Sequence, residues 1–194
     1  MKIKSIELNN YRLYYGKNIV VFPNGNNKNL HLISGENGFG KTTFLHSLLW
    51  CLYGRLMSDV DETFRKDISN GGYNATLIAN LNEICRNRLN TEIGTNKISK
   101  IKKKGYSVDT NYIREFSSYS VSLEFIDVHI PSIPSQSLKI TRSFDVILNQ
   151  EEVEILIDGV KSELTSEIGN EIFINDFILN KDIARFFFFD SEKI

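Results

Sequence analysis

Residues 35–43 read Gly-Glu-Asn-Gly-Phe-Gly-Lys-Thr-Thr, which sets Gly35, Gly40, Lys41 and Thr42 at the spacing G-x-x-x-x-G-K-[ST]. No other stretch constrains the fold as tightly, because the pattern works only as a turn between an incoming strand and an outgoing helix. Its glycines let the backbone bend so that amides point inward, and the helix N-terminus adds partial positive charge. Lys41 supplies a mobile point charge suited to β- and γ-phosphates, and the Thr42 hydroxyl is a hard oxygen ligand for Mg²⁺. Asn37, Gly38 and Phe39 complete the loop, and Thr43 falls within reach of an α-phosphate. The chemistry expected is nucleotide binding. The competing reading is a glycine-rich turn with a solvated lysine.

The flanks suit the first reading. Leu30 to Ile33 form a short apolar run before the loop, and Phe44, Leu45, Leu48, Leu49 and Leu52 recur after it at helical spacing, with Gly54 as the stop. Trp50, Cys51 and Tyr53 occupy other faces of that helix, so it is expected to lie buried under a sheet. Strands are also expected at Ile3–Leu8, Asn18–Phe22, Ser118–Phe125, Ser137–Phe144 and Glu152–Ile157, the last closed by an Asp158-Gly159 turn. Arg55 to Gly72 reads as irregular, residues 74–89 as one amphipathic helix, residues 167–181 as helical, and Ala184 to Phe189 as an apolar strand. The class expected is α/β.

Composition narrows the function. With 23 Lys and Arg against 24 Asp and Glu the net charge is −1, so no bulk attraction to nucleic acid or anionic lipid is available. A local patch could supply one. Lys97, Lys100, Lys102, Lys103 and Lys104 cluster in an aperiodic stretch that either follows a phosphate backbone or is a solvated hairpin tip. The longest apolar run, Phe186 to Phe189, is far short of a membrane span, and two cysteines, Cys51 and Cys85, suggest a reduced, cytoplasmic protein. His31, His46 and His129 show no metal-ligand spacing and read as packed or surface residues. Hydrolysis needs a carboxylate pair at the end of an apolar strand; Asp158, followed by Gly159, is better explained as a turn residue. Nor is there an N-K-x-D base reader, which disfavours a stand-alone GTPase; a small kinase unrelated to DNA would need its own acidic Mg²⁺ residue.

The opening IKSIELNNYRLYYGKNIVVF, the loop LHLISGENGFGKTTFLHSLLWCLYG and the closing ARFFFFDSEKI, in that order, resemble the N-terminal segment of SMC-like ABC ATPases that act on DNA, the SbcC and RecF group. The Phe run followed by D-x-E-K-I is similar, more narrowly, to the DndD family of DNA phosphorothioate modification. The resemblance implies a P-loop NTPase fold, the N-terminal lobe of an ABC/SMC head: a mixed sheet around a buried P-loop helix, an antiparallel hairpin layer and a C-terminal helix. It implies ATP and Mg²⁺ as cofactors, with residues 1–194 cut where a coiled-coil arm would begin. A C-terminal lobe in cis, a second head in trans, DNA and DNA-modification proteins are the partners implied, and no membrane. Arg12 occupies the place of an arginine that packs near the base and phosphates, its alternative being a surface ion pair. Glu192 stands where the group has a glutamine that touches Mg²⁺ and the attacking water, and Ser191 replaces an expected glycine. Asp190 and Glu192 could equally begin a solvated arm. A transporter ABC subunit is disfavoured by the long spacing from Lys41 to Glu192.

Overall fold

The computed structural model describes residues 1–23, 31–94, 110–130, 136–161 and 169–187. Its frame is a six-stranded sheet in the order β2-β1-β3-β4-β5-β6, built from β1 (Lys2–Tyr11), β2 (Tyr14–Val21), β3 (Ser118–Ile126), β4 (Ser137–Asp145), β5 (Gln150–Ile157) and β6 (Val160–Lys161). Alternation decides which face is buried. Ile6 lies opposite Leu123, Leu8 opposite Val121, Leu123 opposite Ile140 and Ile140 opposite Ile155, so one row of apolar side chains runs across four strands.

The helix α1 (Lys41–Tyr53) covers that row, with Leu49, Trp50 and Cys51 fully buried. The Cys51 thiol faces the Val121 carbonyl at 3.3 Å, which ties the helix to β3. Trp50 stacks on Tyr11 at 5.7 Å between centroids and meets Tyr119 at 5.1 Å, so β1, α1 and β3 share one aromatic cluster. A 3₁₀ turn (Gly54–Asp59) leads into α2 (Glu62–Gly71), α3 (Tyr73–Ala79) and α4 (Glu83–Gly94), and α5 (Thr110–Ser117) precedes β3. After the sheet come α6 (Asn170–Phe173), a π-helical turn (Ile174–Ile178) and α7 (Lys181–Phe187).

The α/β class is as expected, with several local differences. Every strand pairing described is antiparallel, where a mixed sheet was anticipated. Residues 31–36 form no strand: no neighbour among the described residues offers them a ladder, and Leu32 is 91% exposed. The single helix expected over 74–89 is two, because Leu81 leaves the helix to bridge Tyr11 and the Asn82 amide donates to the Asn10 carbonyl. The stretch read as irregular contains α2, whose N-cap Asp61 accepts from the Phe64 amide at 2.7 Å. Residues 184–187, expected as a strand, are the end of α7; the Asn180 side chain accepts from the Asp182 amide and starts a helix that a run of Phe alone does not signal. The Asp158-Gly159 turn is formed, with both residues at positive φ, 48° and 79°. No helix among the described residues is long and apolar enough to cross a membrane.

Candidate functional site

The site is built where the β1–β2 hairpin meets the start of α1. Gly38 and Gly40 take φ of 87° and 92°, left-handed values that turn the loop into the helix. Gly40 is also held close: its carbonyl accepts from the Tyr14 hydroxyl at 3.3 Å, and a Cβ there would stand 3.2 Å from that oxygen. The hairpin tip therefore braces the loop. A cavity of 270 Å³ results, lined by Leu13, Asn37, Gly38, Gly40, Lys41, Thr42 and Thr43.

The electrostatics of this cavity favour an anion. The amides of Lys41, Thr42 and Thr43 lie in the first turn of α1, where the helix has no acceptor for them. No side chain caps the helix and no acidic residue sits in that turn, so no carboxylate of the first turn offsets the positive end of the macrodipole. Lys41 Nζ donates to the carbonyls of Gly35 at 2.7 Å and Glu36 at 3.0 Å. It is thus folded over the loop, with one ammonium proton remaining. Phe39 is 75% exposed and does not enter the core.

Of the residues expected to act together, Asn37, Gly38, Gly40, Lys41, Thr42 and Thr43 line one cavity, and Gly35 closes it through Lys41. Arg12 is at the hairpin tip beside Leu13, in the left-handed region at φ 47°. Its Nε donates to Asn80 Oδ1 at 2.7 Å and its Nη1 to His46 Nδ1 at 3.1 Å, and it forms no ion pair among the described residues. Glu192, Asp190, Ser191 and the lysines from Lys97 to Lys104 lie outside the described residues. Asp158 is occupied with its turn: its carboxylate accepts from the amides of Gln136 and Ser137, which holds it below the usual aspartate range.

Sequence reasoning missed four residues. His46 is packed, as expected, and it also contacts Arg12 and, through Nε2, Asp61 Oδ2 at 3.3 Å. Asn80 and Asn82 clamp the hairpin tip, the Asn82 side chain donating to the Arg12 carbonyl at 2.6 Å. One signal was available: His46 is four residues after Thr42, hence on the same face of α1.

No curated protein matches the sequence. Among solved structures it is similar to one from work on the structural biochemistry of ATP-driven dimerization and DNA-stimulated activation of SMC ATPases, at 15% identity, with 100% of this chain and 95% of that chain covered and a TM-score of 0.47. The AAA domain family (AAA_23) matches residues 5–194, a range that contains the loop, its helix and the hairpin that braces it. The chain belongs to the AAA domain family.

Proposed function

We infer that the chain binds ATP with Mg²⁺ at the loop from Gly35 to Thr43 and serves as the N-terminal lobe of a composite ATPase head. The observation that carries this reading is the 270 Å³ cavity, which gathers Lys41, Thr42, Thr43 and the loop glycines at the uncapped N-terminus of α1. A donor-rich cradle with no acidic side chain in the first turn fits a polyphosphate and repels nothing on it. Lys41 exchanges its two carbonyl partners for phosphate oxygens and holds their charge. Bound Mg²⁺ neutralises phosphate charge, and the Thr42 hydroxyl is the side chain of the loop suited to hold it. Glu192 is proposed as a second Mg²⁺ contact and water-orienting residue.

The wider role follows the resemblance of the opening, loop and closing segments to SMC-like ATPases and, more narrowly, of the closing Phe run and D-x-E-K-I to the DndD type. A C-terminal lobe in cis and a second head in trans complete the ATP site, and DNA and DNA-modification proteins are the partners. Exposed Leu32 and Ile33, beside the loop, support a neighbouring apolar element.

Titration with a fluorescent ATP analogue and Mg²⁺ tests the reading. Lys41→Ala removes a charged donor worth about 1.5–3 kcal/mol and weakens binding about 10- to 100-fold. Unchanged affinity overturns the assignment. Hydrolysis is expected only when a second ATPase segment is added, and to rise with duplex DNA; vigorous turnover by residues 1–194 alone contradicts the composite head.

A further inference from the structure

One carbonyl at the start of α1 accepts two hydrogen bonds, and only one of them belongs to the helix. The Gly40 oxygen takes the Phe44 amide at 2.8 Å, the first bond of the helical ladder, and the Tyr14 hydroxyl at 3.3 Å. We propose that Tyr14 is a positioning residue of the phosphate site, holding the Gly40–Lys41 peptide so that the Lys41 amide faces the loop cavity, an inference that rests on the ATP-binding reading and deepens it.

A trans peptide is planar, with its carbonyl and its amide pointing in opposite directions. The Gly40 carbonyl points along α1 toward Phe44, so the Lys41 N–H of the same plane points out of the helix N-terminus, toward the cavity that Gly40 and Lys41 both line. Fixing the oxygen fixes the donor. Gly40 needs such fixing, because a residue without a Cβ at φ 92° can rotate its peptides at little cost. Helix ends also fray, so the Phe44 bond alone is a weak restraint. The hydroxyl arrives on a rigid arm. Tyr14 faces Tyr11 across the hairpin, with Arg12 and Leu13 at the tip. That tip is tied to the break between α3 and α4: the Arg12 amide donates to the Asn80 carbonyl at 2.7 Å, and Asn82 Nδ2 to the Arg12 carbonyl at 2.6 Å. Tyr11 in turn stacks on Trp50, so the same hairpin grips α1 near its C-terminal end and at its start.

A half-buried tyrosine that merely packs would leave its hydroxyl to water. Two observations set Tyr14 apart. A Cβ on Gly40 would stand 3.2 Å from the Tyr14 oxygen and 3.5 Å from Leu13 Cδ1, so the hairpin tip lies directly against the Cα of the last loop glycine. The other is that the restraint does not depend on the site being empty. Lys41 Nζ ties the far side of the loop through the carbonyls of Gly35 and Glu36, and it gives up those contacts when it turns to phosphate. Tyr14 is not among the residues that line the cavity, so a ligand there leaves its bond to Gly40 in place. With Lys41 engaged elsewhere, Tyr14 is the side chain that still holds the turn into the helix.

Two affinities of residues 1–194 test this: for a fluorescent ATP analogue with Mg²⁺, and for inorganic tripolyphosphate with Mg²⁺ by displacement of that analogue. Tyr14→Phe keeps the ring and deletes the donor, and it is expected to weaken both ligands by about 3-fold, the range of one neutral hydrogen bond. Equal losses are the mark of a backbone donor aimed at phosphate, since tripolyphosphate has no base or sugar for the ring to touch. A loss confined to the ATP analogue would make Tyr14 a base contact and overturn the proposal, as would parent-like affinity for both. In ¹⁵N-labelled protein without ligand, Tyr14→Phe should move the Lys41 amide resonance more than those of Ser47 and Leu48 in the middle of α1; an unmoved Lys41 amide rejects the lock on the peptide. Where Tyr14→Phe fails to fold by circular dichroism, a ring-fluorinated tyrosine at position 14 keeps the hydroxyl and strengthens it as a donor. It should move the same amide, and an unmoved resonance again overturns the proposal. Lys41→Ala in the same series separates the readings: if it binds normally, ATP binding at the loop is wrong, whereas loss in Lys41→Ala with none in Tyr14→Phe rejects only the role of Tyr14.

Discussion

At the N-terminal end of α1, Gly38 has no heavy atom within 4 Å of where a Cβ would stand, whereas at the C-terminal end a Cβ on Gly54 would overlap the Arg142 guanidinium. Both glycines have positive φ, 87° and 51°. Their surroundings give them opposite purposes. Arg142 donates through Nε to the Cys51 carbonyl at 3.1 Å, at the negative end of the helix macrodipole, and through Nη1 to Glu151 at 2.8 Å. Tyr73 closes this knot by donating to the same carboxylate at 2.8 Å. The C-terminal glycine makes room for a side chain of this protein, and the N-terminal one leaves backbone open to something outside it. One end of the helix is filled by the protein's own side chains and the other is left open.

Removing the knot should have the largest effect on stability. Arg142→Met leaves the Glu151 carboxylate without its cation and is expected to cost about 3–5 kcal/mol in urea unfolding. Gly54→Ala should cost about 3 kcal/mol, from overpacking against the guanidinium plus the left-handed backbone. In the Arg142→Met background that cost should fall to about 1–2 kcal/mol, the backbone part alone. An unchanged Gly54→Ala cost there would show that the collision with Arg142 is not what selects glycine.

Alkaline pH strikes the same buried end. Burial pushes the Cys51 thiol and the Tyr11 hydroxyl each up to about 12, and holds the hydroxyls of Tyr73 and Tyr119 well above their ordinary values. A folded pKa above the unfolded one means stability is fully present below the unfolded pKa and lost as pH rises toward the folded value. Urea midpoints should stay level to about pH 8.5 and then fall, by on the order of 2 kcal/mol near pH 10.5 from Cys51 alone. Cys51→Ala should remove part of that slope; a level profile to pH 10.5 contradicts the burial of the thiol.

The smallest expected change is at the open end. Gly38→Ala should cost only about 1 kcal/mol of stability, since no neighbour meets the new methyl group, yet it narrows the path of a ligand toward the loop. Affinity for Mg-ATP should therefore drop more, relative to stability, than in Gly54→Ala. Equal ratios in the two variants would erase the distinction between the ends.

Much of this was legible beforehand. The loop residues, the burial of α1, the alternation of β3 and the Asp158-Gly159 turn follow from short-range rules, because each depends on neighbours within a few positions. The break at Asn80-Leu81-Asn82 was not, since the helical period continues through it and only the distant hairpin tip competes for those backbone groups. His46 packs as its sequence position allowed, but its partners, 34 and 15 residues away, were not legible for the same reason.

By itself, the sequence determined that a glycine-rich turn leads into a buried helix, because glycine spacing, one lysine and two threonines specify that turn locally. Only the tertiary structure decided what Arg12 touches. A strained hairpin tip, a histidine on one helix and an aspartate capping another come together through sheet packing, and a guanidinium with five donors takes its direction from whichever acceptors the fold brings within reach.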